Sequence, residues 1–150
     1  MSDTQASSLP AAKPFELPQS ALFRYGSIDT EHRVLVDILN DTMAEFAAGG
    51  RPSGPRFAGH VTRLLAHLRA HFNNEEMAMA ATRYPDLAGH KAHHLAMIAR
   101  VAALRENALQ QANLDKESVF ELFDQVFDDL LRADLPFKSY LDANGLTDKA

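Results

Sequence analysis

The stretch His71-Phe72-Asn73-Asn74-Glu75-Glu76 lies in the middle of a long segment with helical apolar periodicity. His71 and Glu75 are four residues apart, so on a helix their side chains share one face and lie one turn apart. Both occupy positions of the apolar stripe, where a core-facing helix normally carries hydrophobic residues. The stretch therefore predicts one wall of a metal site inside a helical bundle.

Four segments with this periodicity follow one another along the chain, each with a stripe that alternates steps of three and four residues. The predicted helices run from about Ile28 to Ala48, from Pro55 to about Ala81, from Pro85 onward, and from Asp115 to Gly145. Short connections between such helices predict an all-α fold, an up-down-up-down four-helix bundle. Pro136 lies inside the last segment and lacks a backbone donor, so we expect a kink or a local break there.

The length of 150 residues fits one domain with a substantial core. Residues 1–20 are rich in Ser, Ala, Pro and Gln and show no sustained period. We therefore expect a flexible N-terminal arm over 1–20, with a docked end at Phe15 and Leu17, followed by the bundle over 21–150.

Composition limits the chemistry that the protein can perform. A net charge of -5 and a pI near 5.7 argue against a nucleic-acid partner. The absence of cysteine excludes disulfides and iron–sulfur clusters, so histidine and carboxylate must provide any metal ligands. With neither a signal peptide nor an apolar run of about 18 residues, the sequence predicts a cytoplasmic protein without a membrane segment.

Six stripe positions carry ionisable side chains where the periodicity otherwise places apolar ones. Burying one such group without a partner costs several kcal/mol, so six of them scattered through a core would be hard to tolerate. In an up-down-up-down bundle, however, the helix ends that bear them lie at one level, and the side chains should fall within about two turns of height. They are His32, His71, Glu75, His90, His94 and Asp134.

Four imidazoles and two carboxylates around one centre suit iron, manganese or zinc, and iron is favoured when a carboxylate can bridge two metals. Glu75 is best placed as that bridge. A histidine that binds metal through one ring nitrogen usually needs an outer partner for the other N–H. Glu76, Asp29 and His67 are the nearby candidates for that role, and His93 is an alternative ligand beside His94.

These residues resemble the hemerythrin family, and bacterial hemerythrins in particular. The resemblance covers roughly residues 23 to 141 and implies the same four-helix fold. The matching motifs are Ile28-Asp29 before His32, the block from His71 to Glu76, and Tyr84-Pro85 followed by His90 and His94.

The resemblance implies a pair of non-heme irons, with Glu75 as a bridge. By the family pattern, His32 and His71 would hold one iron, and His90 and His94 the other. The resemblance also implies that this protein binds a small diatomic such as dioxygen or nitric oxide, for storage, delivery or sensing. We therefore expect a binding protein rather than an enzyme. The alternatives are a carboxylate-richer diiron oxidase or peroxidase, and a bundle whose site holds one iron or none.

The last ligand motif departs from the family pattern, which has a histidine and an aspartate five residues later. Aligned through Leu130 and Leu131, the histidine position is Asp134 and the aspartate position is Ser139. We expect Asp134 to ligate in place of the missing imidazole. An ion pair with Lys138, four residues later on the same helix, explains Asp134 equally well.

Overall fold

Five α-helices account for most of the chain in the computed structural model, which describes residues 14–110 and 114–148. Helix α2 packs against both α1 and α3, and α4 packs against α1. No strand occurs among the described residues, so the all-α bundle is confirmed. The helices are α1 Ile28–Ala44, α2 Gly54–Ala81, α3 Leu87–Leu109, α4 Lys116–Arg132 and α5 Leu135–Ala143.

Most of the predicted helix boundaries lie close to those in the structure, but two need correction. Helix α1 ends at Ala44 rather than Ala48, because the chain continues into a separate 3-10 turn over Ala47–Gly49. Helix α3 begins at Leu87, so Pro85 lies in the preceding turn and not in the first turn of the helix. Asp115 caps α4 as predicted, because its side chain accepts a hydrogen bond from the Ser118 N–H.

The predicted break in the last segment is confirmed, and it places Asp134 at a helix junction. Helix α4 ends at Arg132, α5 begins at Leu135, and Pro136 falls in the first turn of α5, where its missing N–H costs nothing. Asp134 occupies the N-cap position of α5, yet its side chain makes no capping hydrogen bond. Its carboxylate is therefore available to the bundle interior.

Phe15 docks the described end of the predicted N-terminal arm onto the bundle. Its ring is buried and stacks on Phe120 with a centroid separation of 5.5 Å. The Asn40 side chain accepts from the Phe15 N–H and donates to the Phe15 carbonyl. Residues 1–13 of the predicted arm lie outside the described residues, and the division into arm and bundle stays a prediction.

The turn between α2 and α3 is held by α5. Arg83 adopts a φ of 59°, a left-handed conformation that costs energy in a residue other than glycine. Tyr140 on α5 donates its hydroxyl hydrogen to the carbonyl of Thr82 in this turn, at 2.6 Å. The contact fixes α5 against the end of α2, and thereby fixes the junction that carries Asp134.

The polar residues lie between two apolar clusters. The larger cluster fills the body of the bundle, while a smaller one closes its end. The smaller cluster contains the buried residues Phe23, Ile28, Met79, Phe137 and Leu141. None of the helices in the described part of the chain has the length and hydropathy of a membrane span.

Candidate metal centre

The six polar stripe residues form two groups of four that share two members. All six side chains are buried, with at most 6% of any residue exposed. The ligand atoms within each group lie within 4.8 Å of one another. The first group contains a first histidine pair, His32 and His71, and the second group contains a second histidine pair, His90 and His94. Glu75 and Asp134 belong to both groups.

Each shared carboxylate directs one oxygen to each histidine pair. Asp134 places Oδ2 3.3 Å from His32 Nε2 and Oδ1 3.0 Å from His90 Nε2. Glu75 places Oε2 3.5 Å from His71 Nε2 and Oε1 3.1 Å from His94 Nε2. All four imidazoles therefore present Nε2 to the same small space, and both carboxylates lie between the pairs.

One histidine of each pair has an outer carboxylate on its other ring nitrogen. Glu31 Oε1 lies 2.7 Å from His71 Nδ1, and Glu76 Oε2 lies 2.7 Å from His94 Nδ1. An ionised carboxylate only accepts hydrogen bonds, so Nδ1 must carry the proton in both rings. The inward Nε2 atoms of His71 and His94 consequently hold free lone pairs, as metal ligation requires.

The two shared carboxylates have opposite pKa shifts. Burial raises the pKa of Glu75 well above its usual value, and the neighbouring charge of Asp134 raises it further. Burial alone would also raise the pKa of Asp134, but hydrogen bonds from His32 and His90 outweigh it and hold that pKa well below its usual value. The two carboxyls thus favour opposite forms when no metal is bound: Asp134 the ionised form and Glu75 the protonated form.

The histidines and their outer partners show the same balance between burial and pairing. Burial lowers the pKa of His71, partly opposed by the hydrogen bond to Glu31, and burial lowers the pKa of His94 in the same way. Both rings are therefore neutral near pH 7. Glu31 has a pKa lowered to about 2, because hydrogen bonds from His71, Ser27 and Asn74 outweigh its partial burial.

The donor set fits a divalent metal. Neutral imidazole and carboxylate are the ligands that non-heme iron prefers. Glu75 Oε2 is buried and has no hydrogen-bond partner among the described residues, which is costly unless a cation occupies the adjacent space. A metal ion there would favour the ionised form of Glu75 and use the lone pairs that Glu31 and Glu76 orient.

Comparison with known proteins identifies the family. The profile described as "Hemerythrin HHE cation binding domain" matches residues 25–133. This chain belongs to the hemerythrin family. As a member of this family, it is a non-heme iron-binding protein, and the two groups of buried ligand atoms are its candidate site.

Individual relatives agree with that assignment. Myohemerythrin-1 of Phascolopsis gouldii is 28% identical over 108 residues, which cover 68% of this chain and 82% of that protein. Crystal structures of two hemerythrin point mutants superpose with TM-scores of 0.71 and 0.70. Each is 21% identical and covers 86% of this chain and 95% of its own, so these structures show the shared hemerythrin fold.

Asp134 takes a different place from the one that the sequence alignment predicts. A substitute for the third imidazole of one iron would contact one group only, whereas the Asp134 carboxylate contacts both histidine pairs. Ser139, at the aligned aspartate position, is exposed. The predicted alternative, an ion pair with Lys138, is wrong, because Lys138 pairs with Asp142 at 3.3 Å.

If Asp134 is the shared carboxylate, it corresponds to the aspartate of the family's last motif and not to the histidine five residues before it. The position five residues before it is Asp129, which lies 3.8 Å from His93 Nε2. Neither residue belongs to the two groups of ligand atoms in the described part of the chain. The expected alternative of His93 as a ligand therefore finds no support in the geometry, and each group has two imidazoles.

Of the outer partners that the sequence suggests, only Glu76 contacts a ligand histidine. The Asp29 carboxylate instead accepts hydrogen bonds from the backbone N–H groups of Phe23 and Arg24, and His67 is exposed. Sequence reasoning missed Glu31, which comes from a different helix than His71. The available signal was its position beside His32, at the level where the site residues converge.

Proposed function

We propose that this hemerythrin-family protein binds two non-heme irons, one at each histidine pair, bridged by Glu75 and Asp134. The observation that carries the proposal is the division of each carboxylate between the two pairs, with one oxygen directed to each. A single metal ion would leave half of these buried donors without a cation. Two ions use all six residues.

We further propose that the reduced centre binds a small diatomic, dioxygen or nitric oxide, in the cytoplasm. Aromatic side chains surround the ligands: Phe23 contacts His32 edge to face, and the Phe72 ring stacks on His94. Such an enclosure excludes water while admitting a small apolar molecule. When bound, a pair of ferrous ions can supply two electrons to that molecule.

A carboxylate-containing diiron enzyme of the oxidase or peroxidase type is the second candidate. The observation that favours it is the equal number of imidazoles in the two groups. With two imidazoles on each iron, both ions would have coordination positions left for an exogenous ligand. An iron pair that is open on both sides favours turnover of oxygen or peroxide over reversible binding.

The deciding experiment is an iron count combined with oxygen addition. Protein purified without added metal should contain two irons per chain, and an optical spectrum should change when oxygen is added to the anaerobically reduced form. Recovery of the reduced spectrum on removing oxygen identifies a carrier or sensor. Oxidation that cannot be reversed in this way, with repeated consumption of oxygen in the presence of a reductant, identifies an enzyme.

Replacing His71 with Ala should lower the iron content from two ions per chain to one or none. The substitution removes an inward lone pair and disconnects Glu31 from the site. His67→Ala is the matched control, because His67 lies one turn earlier on α2 and is exposed. Iron analysis after gel filtration provides the measurement, and unchanged iron in His71→Ala would contradict the proposed ligand set.

Removing either outer carboxylate should weaken iron binding without abolishing it. Glu31→Gln and Glu76→Gln each leave the ligands in place but loosen the orientation of one ring, so we expect affinity to fall roughly 10- to 100-fold. Competition with a chelator of known affinity measures the change. Asp37→Asn, an exposed substitution on α1, should bind iron like the wild type; equal affinities in all four proteins would contradict an orienting role.

A further inference from the structure

An exposed groove between α2 and α3 reaches one of the proposed iron ligands. It has a volume of about 360 Å³, and its most buried lining residues are Phe72 and His94. The Phe72 ring stacks on the His94 imidazole with a centroid separation of 3.8 Å and an interplanar angle of 4°. One imidazole therefore separates the bottom of the groove from the metal position.

The rim of this α2–α3 groove combines apolar and basic side chains. Leu95 lines the groove and is 72% exposed, although it is a large hydrophobic residue. Arg69 and Lys91 line the same groove and are exposed. Glu76 also lines the groove but is hydrogen-bonded to His94, so Arg69 and Lys91 provide the exposed charges beside an apolar centre, as in many protein docking sites.

The two helices that form the groove are richer in basic residues than the rest of this acidic protein. Helices α2 and α3 carry six basic and three acidic residues, whereas α1 and α4 carry three basic and nine acidic residues. Two of the three acids on α2 and α3 are Glu75, which is buried, and Glu76, which is hydrogen-bonded to His94. Four of the six basic residues pair with acidic side chains, so the positive charge at the groove comes from Arg69 and Lys91, in a chain whose net charge is -5.

We infer that the α2–α3 groove is the docking site of an acidic one-electron carrier protein, which reduces the iron centre through His94. The inference rests on the proposed diiron function. In each encounter the carrier loses one electron and one ferric ion becomes ferrous, so two encounters reduce the pair and no atoms are transferred. Charge complementarity accelerates the encounter, and a small apolar centre suits a transient complex.

An acidic plant-type [2Fe–2S] ferredoxin is a suitable probe. Its photochemically reduced form is mixed with the oxidised, iron-loaded protein, and the rate constant of reduction is followed by stopped-flow absorbance. We expect Arg69→Glu combined with Lys91→Glu to lower this rate about tenfold or more at low ionic strength, and the difference to shrink as salt is added. The matched control is Arg33→Glu with Lys116→Glu, which changes the net charge equally on α1 and α4 and should slow reduction about twofold at most.

Iron content and the extent of reduction by excess dithionite are measured first, because they test the diiron site independently of docking. Equal slowing in both double variants, or a wild-type rate that does not depend on salt, would overturn the inference. So would a wild-type dimer in sedimentation velocity that Arg69→Glu with Lys91→Glu dissociates, because the groove would then join two copies. If the protein contains no iron, calorimetry of ferredoxin binding to the metal-free form still tests the docking site, and absence of binding would overturn the inference.

Discussion

Glu75→Gln should make the metal-free protein more stable and remove its stabilisation by iron. Burial and the nearby Asp134 raise the pKa of Glu75 well above the usual 4.5. A carboxyl whose pKa is raised in the folded state lowers stability progressively as the pH rises above its unfolded value, because the unfolded chain releases its proton first. Glutamine has nearly the shape of the protonated glutamate side chain and does not ionise. The stability of the variant should therefore equal that of the wild type near pH 4 and exceed it near pH 7.

Iron should reverse the order of stability, so that the wild type becomes more stable than Glu75→Gln. At a free iron concentration about a thousand times the dissociation constant, binding adds about 4 kcal/mol to the stability of the folded wild type, which corresponds to a rise of about 10 °C in Tm. Glu75→Gln lacks a shared ligand and should show little of this rise. Thermal unfolding with and without ferrous iron, under anaerobic conditions, measures both effects.

Glu121→Gln is the control, because Glu121 lies on α4 and is exposed. It should reproduce the wild-type Tm in both states. A metal-free Glu75→Gln protein that is less stable than the wild type at neutral pH would mean that the Glu75 carboxyl contributes favourable hydrogen bonds that exceed its burial cost. Full stabilisation of that variant by iron would exclude Glu75 as a shared ligand.

Asp134→Asn should have the opposite effect on the metal-free protein and the same effect on iron binding. The Asp134 carboxylate accepts hydrogen bonds from His32 on α1 and His90 on α3. It thereby connects both helices to the junction of α4 and α5. A hydrogen bond to a charged group contributes roughly 1.5 to 3 kcal/mol, and Asn would weaken two of them. We therefore expect a marked fall in the free energy of unfolding without metal, together with loss of the second iron.

The pH dependence provides a further check on Asp134. Its pKa is held below the usual 3.8, and a lowered carboxyl pKa contributes stability that is present above the unfolded value and is lost as the pH falls below it. The stability advantage of the wild type over Asp134→Asn should accordingly shrink below about pH 4. Denaturant unfolding of the metal-free proteins across this range measures the difference, and Asp124→Asn, an exposed substitution on α4, is the matched control. A constant difference across that range would contradict the assigned role.

The two substitutions are expected to change the stability of the metal-free protein in opposite directions, although the sequence pattern gives both residues the same kind of position. Glu75 and Asp134 are both acidic residues at core positions, and both are nearly inaccessible to solvent. They differ because Asp134 receives hydrogen bonds from two imidazoles, whereas the histidines facing Glu75 direct their protons outward to Glu31 and Glu76. Iron bound at the proposed site should remove the difference, since a cation favours both ionised forms.

The sequence by itself determined the all-α fold and the set of six buried polar residues. Helical periodicity is a local property, so stripe positions such as His71 and Glu75 can be assigned from their spacing alone. The alternation of helix direction then brings the four helix ends together, which is why the convergence of His32, His90 and Asp134 could be predicted without coordinates. The break near Pro136 was predictable for the same reason, because it depends on local backbone chemistry.

Only the tertiary structure decided the relations between side chains of different helices. The distribution of the Asp134 oxygens over both histidine pairs depends on where α4 ends, and an alignment by residue spacing placed Asp134 on one iron. The partnership of Glu31 with His71 and the stacking of Phe72 on His94 likewise depend on interhelical distance and rotation. These quantities are set by the packing of the whole bundle, and spacing along one helix contains no information about them.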